Sequence, residues 1–272
     1  LDRPFVLGVL NVTPDSFSDG GRYDTVERAR AHVDALVAAG ADAVDVGGES
    51  TRPHNGGGVS AVEERARVVP VIAALRRAHP SLLLSVDTVK ADVARAALDA
   101  GAEIVNDVSG FRLDPALAAV CAAAGAGVVL MHSRGHVADM ATFVHAAYAD
   151  VLAEVRAELA SALARAAAAG VDAEAVVLDP GVGFAKRTEA SVAVLAGLPA
   201  FAALGRPLLV GASRKRFVGE LSGVVEPAAR VAATLGAHVA ALARGARLFR
   251  VHDVRVHREA LDVAWAILRT RG

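Results

Sequence analysis

Eight short apolar runs are spaced along this 272-residue chain, and each one ends at a polar or charged residue. FVLGVL runs into Asn11, AVDV carries Asp45 and leads on to Glu49, LLLSV ends at Asp87, and EIV ends at Asn106 and Asp107. VVLM ends at His132, VVL at Asp179, LLVGA at Ser213, Arg214 and Lys215, and LF at Arg250 and His252. None of the runs alternates polar with apolar residues, which is the pattern of strands buried on both faces in a parallel sheet. The ends of such strands open onto a common crevice, so polar groups gathered there point to one shared site and to an enzyme.

The intervening segments carry apolar residues at helical spacing, as in Val26, Ala29, Val33, Leu36 and Val37. This periodicity predicts helices over roughly 24–39, 60–78, 90–100, 115–124, 142–169, 190–203, 227–244 and 256–269. A weak repeat, in which a helix closes on glycine shortly before the next strand, marks Gly40, Gly101, Gly125, Gly170 and Gly245 as residues just past helix ends. Asp24 with Glu27 and Ser60 with Glu63 have capping-box spacing. Eight strands alternating with eight helices predict a single (β/α)₈ TIM barrel over residues 1–272, with long flexible loops after strands 1 and 2. An open doubly wound sheet is the competing architecture. It gathers its ligand mainly at one switch point, whereas here nearly every strand end is polar.

Composition removes several classes of function. A net charge of −1 argues against a protein that coats nucleic acid. The lone cysteine, Cys121, rules out an intrachain disulfide or a multi-cysteine metal site and reads as a core residue. The remaining histidines show no HxH or HExxH spacing, which speaks against zinc. No apolar run approaches the ~20 residues of a membrane span, so the cytoplasm is the expected compartment.

The strand ends carry the chemistry. Phe17 is an apolar residue stranded in the polar loop LNVTPDSFSDGG, and such a tip suits a lid that excludes water. Thr51 and Arg52, before the rigid Pro53, offer a hydroxyl and a guanidinium to an anion. Asp87, Asn106 and Asp179 are costly at an apolar mouth unless something pairs with them, and no cation lies next to Asp87 or Asp179 in sequence. A flat heterocycle with amino and ring N–H groups would satisfy them. Helix capping by Asp87 and Asn106, and a turn role for Asp179, are competing readings. Ser213 to Arg216, with Arg250 and His252 on one side of strand 8, fall where such barrels hold phosphate. The neutral oxygen of Asn11 suits a hard cation shared with phosphate oxygens. His132 reads more readily as structural.

These segments resemble a known family. LNVTPDSFSDGG, DVGGESTRP, SVDT, NDVSG, LDPGVGF, GASRKRF and RVHD match, in order, the signature segments of dihydropteroate synthases of the bacterial folate pathway. The resemblance implies a barrel that condenses 6-hydroxymethyl-7,8-dihydropterin pyrophosphate with 4-aminobenzoate, releasing pyrophosphate. It implies that Asp87, Asn106, Asp179 and Lys215 hold the pterin, with Met131 against its ring. It further implies Mg²⁺ on Asn11, pyrophosphate on Arg52, Arg250 and His252, and 4-aminobenzoate beside Phe17, Thr51, Pro53, Phe184 and Ser213. Family members are usually homodimers, so a homodimer is expected. The chain departs from the pattern in MHSRG and in the unusually flexible HNGGG. A methyltetrahydrofolate:corrinoid methyltransferase would lack SRKR and RVHD, and a non-catalytic pterin-binding paralogue would lack part of the metal, lid or cation set. All of these are present.

Overall fold

Each of the eight apolar runs forms a strand, and the strands pair in parallel. The computed structural model describes residues 2–13, 22–49 and 58–270. The strands are β1 (Phe5–Asn11), β2 (Ala43–Gly47), β3 (Leu83–Asp87), β4 (Ile104–Asp107), β5 (Gly127–Met131), β6 (Val176–Asp179), β7 (Leu209–Val210) and β8 (Leu248–Val251). Their order in the sheet is β6-β5-β4-β3-β2-β1-β8-β7. A parallel bridge between Leu178 and Leu208, with Leu178 N–H donating to the Pro207 carbonyl at 3.0 Å, brings β6 against β7 and closes the barrel.

The helices are α1 (Arg22–Ala38), α2 (Ala61–Ala78), α3 (Ala91–Asp99), α4 (Ala116–Ala124), α5 (Val151–Ala168), α6 (Thr188–Ala196), α7 (Leu198–Ala202), α8 (Arg216–Ser222), α9 (Val231–Ala243) and α10 (Val254–Arg269). They pack their apolar faces on the outer side of the sheet, where Val6, Leu10, Val44, Val46, Leu84, Val86, Val105 and Phe249 belong to the main core. A separate cluster of Leu7, Ala43, Val129, Leu209 and Leu248, with Phe5, Ile104 and Val177 against it, plugs the lower barrel interior. Side chains alternate along each strand, so the next inward positions above this plug are Val9, Asp45, Met131, Gly211 and Arg250. The site therefore stands on an apolar floor.

The five expected glycines all adopt the left-handed region, with φ of 95° at Gly40, 110° at Gly101, 62° at Gly125, 84° at Gly170 and 103° at Gly245. Ser60 caps α2 by accepting the Glu63 N–H at 3.2 Å. The other box fails, because α1 begins at Arg22 and Asp24 already lies inside it. The helix expected over 142–169 begins only at Val151. Asp150 accepts the N–H groups of Leu152 and Ala153, and Glu154 accepts that of Ala149, which fixes the start there. The helix expected over 190–203 is interrupted at Gly197 and restarts as α7 with Pro199 in its first turn. The helix expected over 227–244 opens with a separate 3₁₀ turn, Pro227–Ala229, before α9.

Candidate active site

Pairing register builds the mouth of the barrel. Asn11 pairs with Gly47, Gly47 with Asp87, and Asp87 with Asn106, so three predicted site residues form one row across β1 to β4. Gly47 leaves a gap in that row: a side chain there would begin 3.7 Å from Asn11 Oδ1 and 3.8 Å from Asp87 Oδ2. On the other side of the mouth Met131 pairs with Asp179 across β5 and β6.

Beneath the row lies a residue whose role sequence reasoning understated. Asp45 is fully buried, and its Oδ2 accepts from Asn106 Nδ2 at 2.9 Å and from Arg250 Nε at 2.7 Å. Arg250 Nη2 reaches on to Asp87 Oδ2 at 2.8 Å. The sequence shows no cation beside Asp87, yet the fold supplies one 163 positions away. Arg250 consequently sits among carboxylates at the pterin end of the expected site. Burial would lower its pKa, but Asp45 and Asp87 outweigh that and hold it charged. Burial is also the largest influence on Asp87, pushing its pKa up to about 7 against the pull of Arg250. A carboxylate inside an apolar run was itself the signal for Asp45, since a charge at a strand position buried on both faces requires a partner.

Asp179 is nearly buried, and its Oδ1 accepts the Gly181 N–H at 2.7 Å. Burial raises its pKa, opposed chiefly by Lys215. Burial likewise lowers the Lys215 pKa to about 7, against the attraction of Asp179. The Lys215 ammonium donates to the Val182 carbonyl and lies 4.0 Å from the centre of the Phe184 ring. Gly183, at φ +77°, admits the lysine stem, because a side chain there would begin 2.9 Å from Lys215 Cδ. Met131 and Phe184 join Val89, Val108 and Met140 in an apolar cluster. The arrangement is a slot with apolar walls and carboxylate, amide and ammonium edges, suited to a flat heterocycle rich in N–H groups.

At the far end Ser213 Oγ and His252 Nδ1 lie 2.9 Å apart. Of the cation run expected to bind an anion, two members are otherwise engaged. Arg214 grips Asp253 with two hydrogen bonds, at 2.6 and 3.1 Å, and Arg216 stacks 3.7 Å from the centre of the Phe143 ring. Phe17, Thr51, Arg52 and Pro53 lie outside the described residues.

His132 is structural, as its competing reading held. It is buried between Lys186 Nζ at 2.7 Å and Glu158 Oε2 at 3.0 Å, and burial, then Lys186, push its pKa down to about 4. Lys186, which carried no sequence signal beyond its rarity, also binds the carbonyls of Gly181 and Phe184. It thereby fixes the loop that faces Lys215. Lys90 bridges Glu49 and Glu64, and Glu49 accepts the Val59 N–H at 2.8 Å, drawing together the stems of the second loop.

Residues 7–252 match the family described as pterin binding enzyme. The dihydropteroate synthase of Mycobacterium leprae is 49% identical over 97% of this chain and 93% of its own length. Among solved structures, the dihydropteroate synthase of Xanthomonas albilineans with 4-aminobenzoic acid superposes with a TM-score of 0.91 at 47% identity, covering 99% of this chain and 95% of that one. The same enzyme in complex with 7,8-dihydropteroate gives a TM-score of 0.88 at 45% identity, with the same coverage.

Proposed function

This chain belongs to the dihydropteroate synthase family of pterin-binding enzymes, and on that premise we propose how its barrel mouth divides the reaction. It is a transferase that condenses 6-hydroxymethyl-7,8-dihydropterin pyrophosphate with 4-aminobenzoate, giving 7,8-dihydropteroate and pyrophosphate. The observation that carries the assignment of residues is the polar slot of Asp87, Asn106, Asp179 and Lys215 above an apolar floor, in which Asn106 and Asp179 are buried and Asp87 and Lys215 half-buried. A buried and a half-buried carboxylate with raised pKa values and a lysine with a lowered one, converging on a cleft, mark a reactive site.

Asp179 and Asp87 accept the amino and ring N–H groups of the pterin, Asn106 reads its edge, and Met131 packs on its face. The C–O bond to pyrophosphate breaks first, because the electron-rich pterin stabilises the methylene cation. The lone pair of the 4-aminobenzoate nitrogen then forms the C–N bond, and that nitrogen gives up a proton. Arg250, kept charged by Asp45 and Asp87, orients the carboxylates below the pterin and, with His252 and Arg52, takes the departing pyrophosphate. Phe184 and Ser213, with Phe17, Thr51 and Pro53, enclose the aminobenzoate and exclude water that would otherwise trap the cation.

The residues present fit Mg²⁺ in one specific way. Asn11 presents a single neutral oxygen beside the gap at Gly47, and no cluster of three acidic, histidine or cysteine ligands exists among the described residues. Such a set suits a cation that arrives already held by substrate phosphates and keeps its own waters. When bound, Mg²⁺ neutralises charge on the leaving pyrophosphate.

A second copy of the chain is proposed to cover the apolar face of α6, α8 and α9, where Val192, Leu221, Ala233 and Ala237 line a groove and Leu221 is 64% exposed. The cytoplasm is the proposed compartment, in keeping with the absence, among the described residues, of a helix long and apolar enough to cross a membrane. The function is tested by mixing the pterin pyrophosphate, 4-aminobenzoate and Mg²⁺ with the protein. Pyrophosphate release that depends on 4-aminobenzoate supports the reading, and release that ignores it refutes it.

A further inference from the structure

Two buried histidines that none of these steps uses lie behind the loops that follow β7 and β8. His238 on α9 and His257 on α10 are fully buried, and their rings meet edge-on with centroids 5.0 Å apart. Hydrogen-bond polarity assigns the proton on each ring. His238 Nε2 accepts the Ala212 N–H at 3.0 Å, so the neutral ring carries its proton on Nδ1. His257 Nδ1 lies 2.7 Å from the Asp253 carbonyl oxygen, which only accepts, so this Nδ1 donates and Nε2 keeps its lone pair. The two nitrogens left over, His238 Nδ1 and His257 Nε2, are buried without a hydrogen-bond partner. One is a donor and the other an acceptor. Burial lowers the pKa of both rings and so favours their neutral forms.

We propose that His238 and His257, packed ring edge against ring, act as a couple that sets the spacing of Ser213 and His252 at the anion end of the site. Thr234, one turn before His238 on α9 and also fully buried, accepts the Arg214 N–H at 3.2 Å. Helix α9 thus holds the backbone amides on both sides of Ser213. Arg214 sits in the left-handed region at φ +60°, a conformation that needs such external support. His257 holds the carbonyl of Asp253, directly after His252, and the 2.9 Å contact of Ser213 with His252 is the outcome of both grips. These are positioning residues that touch no substrate.

The inference rests on the assignment of His252 to the pyrophosphate, and the test separates the two. Inhibition by inorganic pyrophosphate and binding of 6-hydroxymethylpterin are measured for the wild type and for His238→Leu, His238→Gln and His252→Ala. Glutamine keeps an acceptor for the Ala212 amide. His238→Leu should raise the pyrophosphate inhibition constant about tenfold, because the Ala212 amide is left without its acceptor, while pterin affinity stays within about twofold. His238→Gln should recover to within about threefold of the wild type. Equal weakening of both ligands, or of neither, in His238→Leu overturns the couple. Unchanged pyrophosphate inhibition in His252→Ala overturns the anion-end assignment itself. Nitrogen-15 NMR of the wild type needs no variant: both rings should be protonated at Nδ1 and not at Nε2 at about pH 7. An Nε2–H form of either ring contradicts the proposal.

Discussion

The lower and upper interior of this barrel come from the same strands and do opposite work. Leu7, Ala43, Val129, Leu209 and Leu248 close the floor with apolar surface that needs no partner. Two residues further along the same strands, Asp45 and Arg250 belong to a web in which every charge depends on another. The difference teaches that one inward step converts a packing position into a binding position, because the strand end is the first place where buried polarity can meet a ligand. It also teaches that the upper layer is itself two-tiered: Asp45 Oδ2 is held by two protein side chains, Asn106 and Arg250, whereas the Asp179 carboxylate accepts only the backbone N–H of Gly181.

Substitutions that separate the tiers test this. Asp179→Asn keeps the shape and the bond from Gly181 but loses the charge, and kcat/KM for the pterin pyrophosphate should fall about 10³-fold with little change in Tm. A large fall in Tm would place Asp179 in the structural tier. Asp45→Asn should cost about 3 kcal/mol in denaturant unfolding, since it removes the fully buried partner of the half-buried Arg250 guanidinium. If it removes activity without loss of stability, Asp45 instead acts on the ligand. Leu209→Ala in the floor should cost about 2–5 kcal/mol by the same measurement while kcat/KM of the folded enzyme stays unchanged.

The pH profile probes the upper layer more gently. Asp87, raised to about 7, gains its charge only as pH climbs through that value, and Lys215, lowered to about 7, loses its charge over the same interval. The form with both charged is therefore most abundant near pH 7, and kcat/KM for the pterin pyrophosphate should follow a narrow bell centred there. Lys215→Arg should abolish the alkaline fall, because a guanidinium stays charged. An unchanged alkaline limb would show that Lys215 is not the group titrating. The smallest effect is expected far from the mouth, where Ser60→Ala should remove about 1 kcal/mol through loss of the α2 cap and leave kinetics untouched.

Much of this molecule is legible before any fold is known, for reasons that differ by residue. Asp87, Asn106 and Asp179 stand out because an apolar run that stops at a polar residue is a local signal of a parallel strand end. Gly125 and Gly170 stand out because a helix end needs a left-handed residue. The pairing of Asp45 with Arg250 spans 205 positions and has no local trace. Arg214 looks like an anion ligand beside Ser213 and Lys215, and only the fold reveals Asp253 as its partner. The stretch before Asp150 carries helix-like apolar spacing, but the cap at Asp150 overrides it.

The central claim, that one mouth is divided into a heterocycle end and an anion end, is tested most directly by calorimetric binding of 6-hydroxymethylpterin, which lacks pyrophosphate. Asp179→Asn should weaken binding at least about a hundredfold, while His252→Ala should bind within about twofold of the wild type. Equal losses in the two variants would contradict the division.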